Sequence, residues 1–141
     1  MALVSDSRIS QRVGKKVAYA DLPLSFQKHP GTGDIRPLKD IDAVKQSVKN
    51  LILTNFGDRP FNPNIGSNVT SYLFEPVSAF TVQGLRANIE RTLKEQEPRI
   101  NGVSVQVFDN SDENAYEIHL QYNVISLNMA LQSSFFLRRL R

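Results

Sequence analysis

Residues 77–108 read VSAFTVQGLRANIERTLKEQEPRINGVSVQVF, and this stretch decides the fold because its periodicity changes from helical to extended at one proline. In its first part, apolar side chains recur at steps of three and four, at Val82, Leu85, Ile89 and Leu93. That spacing predicts an amphipathic helix with one apolar face. Ser78 precedes the helix as a suitable N-cap residue.

The predicted helix must end at Glu97-Pro98-Arg99. The proline ring excludes the α region for the preceding residue, and Pro98 has no N–H to donate. Three valines then follow at alternate positions, Val103, Val105 and Val107. This pattern predicts a half-buried strand. Glu97 and Arg99 therefore flank a rigid elbow, and Glu97 lies at a helix C-terminus, where a carboxylate opposes the helix dipole unless a cation is near.

Two elements are predicted before this stretch. Apolar residues alternate with others over residues 22–26, and the proline among them indicates a short edge strand. The apolar members are Leu22, Leu24 and Phe26. A first helix is predicted to begin after Asp40, a good N-cap residue, and to end by Gly57, which favours the left-handed conformation that stops helices. Its apolar face consists of Ile41, Val44, Val48, Leu51 and Ile52.

The segment between the two helices, residues 57–68, contains two glycines and two prolines, so no regular element is expected there. Its apolar residues Phe61 and Ile65 indicate an ordered loop that packs on its own side chains. A short helical turn is predicted at residues 72–74, ended by Glu75-Pro76.

The C-terminal part is predicted to be extended. The polar residues 109–114 predict a hairpin turn. Residues 116–124 then alternate cleanly between apolar and polar side chains, which predicts a strand and places His119 on its polar face. A last run, residues 131–140, has apolar side chains on both parities, so it is either a buried edge or a strand that pairs with another chain.

This order of elements predicts an α+β domain over residues 17–141, with two main helices packed on one face of a small, mostly antiparallel sheet. An N-terminal edge strand and a C-terminal partner-pairing strand complete it. Residues 1–16 are expected to form a flexible basic arm, because they are polar and unpatterned. The basic residues of this arm are Arg8, Arg12, Lys15 and Lys16.

The composition excludes several classes of protein. A chain of 141 residues with 40% hydrophobic and 22% charged residues suits one soluble domain. Cysteine is absent, so neither a disulfide framework nor a thiolate metal site is possible. No apolar run has the roughly 20 residues that span a bilayer, and the N-terminus lacks the apolar core of a signal peptide. We expect a cytosolic protein without cofactor, metal or membrane partner.

The net charge of +3 is small, and the basic clusters near the two chain ends lack interleaved aromatic residues. Nucleic acid is therefore not an expected partner. No nucleophile motif, phosphate loop or zinc spacing is present. The enzymatic alternative is a hydrolase with two carboxylates held about 5–10 Å apart. Its candidates are Glu75, Glu90, Glu95 and Glu97. Because nothing builds an apolar pocket that would raise one pKa, we expect a protein that is not an enzyme.

Several short segments occur in an order that resembles a known family. They are Asp34-Ile35, residues 43–51, Gly57, Arg59-Pro60-Phe61, Pro63, Gly66, Leu73-Phe74-Glu75-Pro76 and Glu97-Pro98-Arg99-Ile100. Each is weak alone, but the ordered combination resembles the small baseplate wedge proteins of contractile-tailed phages. That family is shared with the type VI secretion baseplate, and its members were long labelled lysozymes.

The resemblance implies a structural subunit that links the inner wedge core bundle to the tail sheath and initiates sheath polymerisation. It places the protein in the virion tail baseplate after assembly in the host cytoplasm, with tube or hub proteins as further candidate partners. It implies that Glu97, Pro98 and Arg99 contact the core bundle. The strand expected to pair with the sheath carries Leu131, Ser133, Phe135 and Leu137. Structural loop positions are Gly57, Arg59, Pro63, Gly66, Phe74, Glu75 and Pro76. A peptidoglycan-degrading, lysozyme-like hydrolase is the alternative.

Two alternatives remain open from the residues alone. Glu97 and Arg99 form either an internal salt bridge between helix and strand or a preorganised polar pair for a partner, and these roles are not exclusive. The last strand either fills the core of its own domain or pairs with another chain.

Overall fold

The computed structural model describes residues 17–110 and 115–138. Its elements are, in order, β1 (Ala20–Asp21), β2 (Leu38–Lys39), α1 (Ile41–Leu53), α2 (Val69–Phe74), α3 (Ala79–Gln96), β3 (Ile100–Asn110), β4 (Ala115–Val124) and β5 (Met129–Arg138). The predicted basic arm and the middle of the predicted hairpin turn lie outside the described residues.

Strands β3, β4 and β5 form an antiparallel sheet in that order, so β4 is central and β3 and β5 are its edges. The alternation of β4 is confirmed. Its buried side chains are Tyr116, Ile118, Leu120, Tyr122 and Val124. His119 lies on the opposite, solvent-exposed face, as predicted. One face of the sheet is therefore apolar and must be covered.

The helices cover that apolar face. Helix α3 packs on β3, and α1 and α2 pack on α3. Leu85, Ile89 and Leu93 of α3 are fully buried in the same core as residues of α1 and of all three strands. The structure thus confirms an α+β domain with helices on one side of a small antiparallel sheet.

Both ends of α3 form as the sequence predicts. The Ser78 hydroxyl accepts a hydrogen bond from the Thr81 backbone N–H at 3.1 Å, so Ser78 is the N-cap. Glu97 leaves the helix with φ −120° and ψ 84°. The proline-directed stop places the side chains of Glu97 and Arg99 at the junction of α3 and β3.

The predicted edge strand at residues 22–26 is wrong. The strand ends at Asp21, and β1 pairs only with β2, in a two-residue ladder separate from the main sheet. A hydrogen bond from the Phe26 N–H to the Pro23 carbonyl at 3.1 Å closes a turn instead. Alternation over five residues around a proline was too short a signal to outweigh turn formation.

Two details of α1 also differ from the prediction. The helix ends at Leu53, four residues before Gly57, with Thr54 in an extended conformation as its C-cap. Asp40 occupies the N-cap position, but its carboxylate makes no capping hydrogen bond. It accepts hydrogen bonds from Ala18 and Tyr19 instead, because that side chain faces the N-terminal segment.

Candidate functional site: the Glu97-Pro98-Arg99 elbow

The elbow is held by a bidentate ion pair within the chain. Arg99 Nε lies 2.6 Å from Glu97 Oε1, and Arg99 Nη2 lies 2.7 Å from Glu97 Oε2. Glu97 is only 4% exposed, whereas the Arg99 side chain is 28% exposed. Two parallel charge-assisted bonds fix the guanidinium plane as well as its position. The internal salt bridge that the sequence left open is therefore present.

Ser47 completes the coordination of the carboxylate. Its hydroxyl donates to Glu97 Oε2 at 2.7 Å, from a half-buried position on α1 that lies 50 residues earlier in the chain. Sequence reasoning missed Ser47, since a serine within a helix gives no signal of a distant partner. This contact joins α1, α3 and β3 at one point.

Tyr19 is a second residue that the sequence did not reveal. The Arg99 guanidinium carbon lies 5.4 Å from the centre of the Tyr19 ring, within the range of a cation–π contact. The backbone of Tyr19 is held in turn, because Asp40 Oδ1 accepts hydrogen bonds from Ala18 N at 2.8 Å and Tyr19 N at 3.3 Å. The N-terminal segment thus supports the Arg99 side chain.

These contacts set the charge state of the elbow. Burial raises the pKa of the Glu97 carboxyl, but the hydrogen bonds from Arg99 and Ser47 and the charge of Arg99 outweigh it, so the pKa lies below its ordinary value. The hydrogen bond to Glu97 raises the pKa of Arg99. Both groups are therefore charged at neutral pH.

At the protein surface the elbow exposes Arg99 rather than Glu97. Nε and Nη2 of Arg99 are used by Glu97, but no residue in the described part of the chain accepts a hydrogen bond from Nη1. Pro98 beside it is exposed. Glu97 therefore acts as a positioning residue that holds the free edge of a guanidinium next to a rigid proline.

The loop of residues 57–66 is fastened to the same end of α3. Gln96 Oε1 accepts a hydrogen bond from Gly66 N at 2.8 Å, and Gln96 Nε2 donates to Gly66 O at 3.0 Å. Gly66 has φ +130°, and a Cβ there would lie 2.5 Å from the Thr54 carbonyl oxygen. Glycine is thus required at this position for both its conformation and its close approach.

The other predicted loop positions have different environments. Gly57 has φ +89°, and its N–H donates to the Pro63 carbonyl at 2.9 Å. Ile65 packs against the core, but Phe61 is fully exposed, so the expectation that the loop packs on both apolar side chains is wrong for Phe61. The remaining positions are exposed, namely Arg59, Pro63, Phe74, Glu75 and Pro76.

In the C-terminal strand, the predicted partner residues point toward the helices. Leu137 is buried, and Leu131 and Phe135 are partly buried against the core. The hydroxyls of Ser133 and the buried Tyr122 lie 3.2 Å apart. Burial raises the pKa of Tyr122. These side chains therefore contribute to the domain's own core, and strand pairing at this edge would have to use the backbone.

The carboxylates considered for hydrolysis do not form an acid–base pair. Glu90 is bonded to Lys94 on the surface of α3 at 3.0 Å, while Glu75 and Glu95 are exposed. Glu97 is neutralised by Arg99, and its lowered pKa is the opposite of what a general acid needs. In residues 17–110 and 115–138, no group of three or more histidines and carboxylates is placed to hold a metal ion.

The structure is thus a small α+β domain with a buried ion pair at the junction of α3 and β3. The family model described as "Baseplate wedge protein gp25" matches residues 39–129. The chain therefore belongs to the baseplate wedge protein gp25 family. It is 29% identical over 92 residues to baseplate wedge protein gp25 of Enterobacteria phage T4, covering 65% of this chain and 70% of that protein.

Solved structures share the fold. A protein of Geobacter sulfurreducens labelled a tail lysozyme matches with a TM-score of 0.65 and 21% identity, over 70% of this chain and 89% of that chain. A chain of the type VI secretion baseplate complex matches with a TM-score of 0.55 and 16% identity, over 67% of this chain and 91% of that chain. A chain of the anti-feeding prophage baseplate matches with a TM-score of 0.56 and 17% identity, over 87% of this chain and 87% of that chain. Among the described residues, no helix is long and apolar enough to cross a membrane.

Proposed function

We propose that this protein is a structural adaptor of a contractile-tail baseplate, which links the wedge core bundle to the tail sheath and starts sheath polymerisation. Membership of the baseplate wedge family supports the setting. The observation that carries the proposal is the elbow, whose bidentate ion pair at 2.6 and 2.7 Å preorganises an arginine edge at the protein surface. The adaptor would lie in the virion tail, after assembly in the host cytoplasm.

The elbow is suited to core-bundle subunits that offer hydrogen-bond acceptors. Arg99 Nη1 can donate to a carboxylate or to backbone carbonyls, and the proline beside it cannot move far. Because Glu97, Ser47 and Tyr19 already fix the guanidinium, little side-chain entropy is lost on binding. The buried Glu97 contributes to this contact only through Arg99.

Replacing Arg99 by lysine should therefore weaken binding to purified core-bundle subunits by at least tenfold. A lysine keeps a charge for Glu97 but offers neither the planar fork nor the free Nη1 edge. Binding is measured by isothermal titration calorimetry, with circular dichroism to verify folding.

The matched control is Lys94→Gln, which removes an exposed cation of α3 that pairs with Glu90 on the same helix. It should bind like the wild type. If Arg99→Lys binds as tightly as Lys94→Gln while remaining folded, the elbow is not the core-bundle contact.

Strand β5 is suited to the second half of the adaptor role. It is a sheet edge, and none of its residues from Met129 to Leu137 is charged. Natural edge strands that avoid pairing usually carry lysine, proline or a bulge. A partner strand, such as one from a sheath subunit, could extend the sheet through backbone hydrogen bonds.

Placing lysines on this edge, in the double variant Gln132→Lys/Ser134→Lys, should block sheath growth on assembled baseplates without unfolding the domain. Both side chains are exposed on the open face, so they do not enter the core. Sheath length is read by negative-stain electron microscopy. Deleting β5 is not a suitable test, because it would remove part of the core.

The control is Gln121→Lys, which adds a lysine on the central strand directly opposite Gln132. Its backbone is already paired on both sides, so sheath growth should be normal. Sheaths of normal length on the double variant would contradict a pairing role for β5.

A further inference from the structure

A groove of about 390 Å³ runs beside the elbow, between residues 21–26, helix α1 and the loop of residues 57–66. Ser47, Gln96 and Glu97 of the elbow region are among its lining residues. Three further lining residues, which we call the apolar ledge, are Leu22, Leu24 and Phe26. They are 56%, 67% and 58% exposed. Several large apolar side chains left in solvent beside a concave surface are typical of a binding site.

The segments that border the groove are fixed in place. Gln46 Nε2 of α1 donates to the Leu22 carbonyl at 2.7 Å, and the Phe26 N–H donates to the Pro23 carbonyl at 3.1 Å. On the loop, Gln96 holds Gly66 through two hydrogen bonds at 2.8 and 3.0 Å. The groove is therefore preformed, which reduces the entropy lost when a partner binds.

Phe26 adds an independent sign of function. Its backbone has φ +47°, a left-handed conformation that is unfavourable for a bulky residue. The fold accepts this conformation although the ring gains little burial from it. Backbone strain of this kind concentrates at binding segments.

The charges of the groove indicate the chemistry of its occupant. Its charged residues are Asp21, Arg59 and Glu97. Both carboxylates lie near Arg99, whose pKa is raised first by the hydrogen bond to Glu97 and also by the charge of Asp21. Asp21 Oδ1 also accepts a hydrogen bond from the Leu22 N–H at 2.8 Å. The Arg59 side chain has no hydrogen bond or ion pair with any residue in the described ranges. The groove therefore combines an apolar ledge with one cation, Arg59, that no residue in the described part of the chain pairs.

We propose that the groove is a docking site for an amphipathic, acidic segment of a core-bundle subunit, which packs a large apolar side chain on the ledge and places a carboxylate against Arg59. This inference rests on the proposed adaptor function, since the groove is continuous with the elbow. It gives Arg59 a contact role in place of the structural loop role that its sequence position implied.

The test is calorimetric titration of the full chain with the same purified core-bundle subunits at low and high salt. Leu24→Ser should weaken binding by at least tenfold at both salt concentrations, because the lost contact is apolar. Arg59→Gln should weaken it by about threefold to tenfold at low salt and reduce its salt dependence. Both side chains are exposed, so the melting temperature should not change.

Phe61→Ser is the matched control. Phe61 belongs to the loop that carries Arg59 and is fully exposed, but it does not line the groove. It should bind like the wild type. Equal losses for Phe61→Ser and Leu24→Ser would overturn the proposal, since the effect would then be general surface hydrophobicity. Wild-type affinity of Leu24→Ser would overturn it too, and unaltered salt dependence of Arg59→Gln would refute the acidic partner.

The binding of two variants distinguishes the groove contact from the elbow contact. If Arg99→Lys loses binding while Leu24→Ser keeps it, the elbow stands and the groove fails. If neither variant loses binding, both proposals fail. If sedimentation shows a self-association of the wild type that Leu24→Ser abolishes, the occupant is a second copy of this chain and the proposed partner is wrong.

Discussion

Gly66→Ala is expected to lower the free energy of unfolding by about 2–5 kcal/mol, from about 1–2 kcal/mol of backbone strain and about 1–3 kcal/mol of steric overlap. The backbone of Gly66 has φ +130°, and an added Cβ would lie 2.5 Å from the Thr54 carbonyl oxygen. That oxygen is fixed, because it accepts a hydrogen bond from the Ser67 N–H at 2.7 Å. Urea unfolding followed by circular dichroism measures the change.

The matched control is Gly57→Ala in the same loop. Gly57 also has a positive φ, +89°, but a Cβ there would meet nothing within 4 Å. It should therefore cost only the backbone strain, about 1–2 kcal/mol. Equal losses of stability in the two variants would show that the Thr54 contact relaxes and that only backbone conformation requires Gly66.

Arg99→Ala is expected to destabilise the domain by about 3–5 kcal/mol at neutral pH, because it leaves the buried Glu97 carboxylate without its cation. Glu97 is 4% exposed, and Ser47 would remain as its side-chain hydrogen-bond donor. The double variant Glu97→Gln/Arg99→Gln should lose less, since it leaves no buried charge. Denaturant unfolding measures these losses, and unfolding of the wild type, Glu97→Gln, Arg99→Gln and the double variant closes a cycle that gives the coupling between the two side chains.

The stability of the domain should depend on pH through the ionisation of Glu97. In the folded protein the pKa of Glu97 is lowered from its ordinary value of 4.5, so its ionisation stabilises the fold above that value. This stabilisation is lost as the pH falls below 4.5 and through the lowered folded-state pKa. The stability difference between wild type and Arg99→Ala should therefore be largest near neutrality and decrease in acid. A difference that stays constant from neutral pH into acid would contradict the role assigned to the ion pair.

Alanine variants of the elbow cannot be interpreted as changes in binding alone. Since the pair joins α3 to β3 and, through Ser47, to α1, an alanine variant confounds stability with binding. Arg99→Lys avoids this difficulty because it retains the cation beside Glu97.

The label of tail lysozyme carried by one structural relative does not assign chemistry to this chain. At 21% identity, that relationship shows the fold alone. In this chain, the one deeply buried carboxylate in the described ranges, that of Glu97, is ionised and saturated by donors. A general acid for glycoside hydrolysis needs a raised pKa instead.

Elements whose signal is local and repeated could be predicted from the residues alone. The helical spacing of Leu85, Ile89 and Leu93, the Ser78 cap and the proline-directed stop at Glu97 all appear in the structure as predicted. The alternation of apolar and polar residues in β4 likewise predicted the central strand of the sheet. Local steric rules and a sustained apolar period are sufficient for such elements because they act within one turn or one strand.

The contacts between side chains that are distant in sequence are visible only in the folded protein. The contact of Ser47 with Glu97 spans 50 residues, and the stacking of Tyr19 on Arg99 depends on how Asp40 holds the N-terminal segment. The tertiary structure also determines that residues 22–26 turn and leave the apolar ledge in solvent. A single serine or tyrosine, or an alternation of only five residues, carries no sustained periodic signal. Its role therefore follows from the packing of distant segments rather than from its neighbours in sequence.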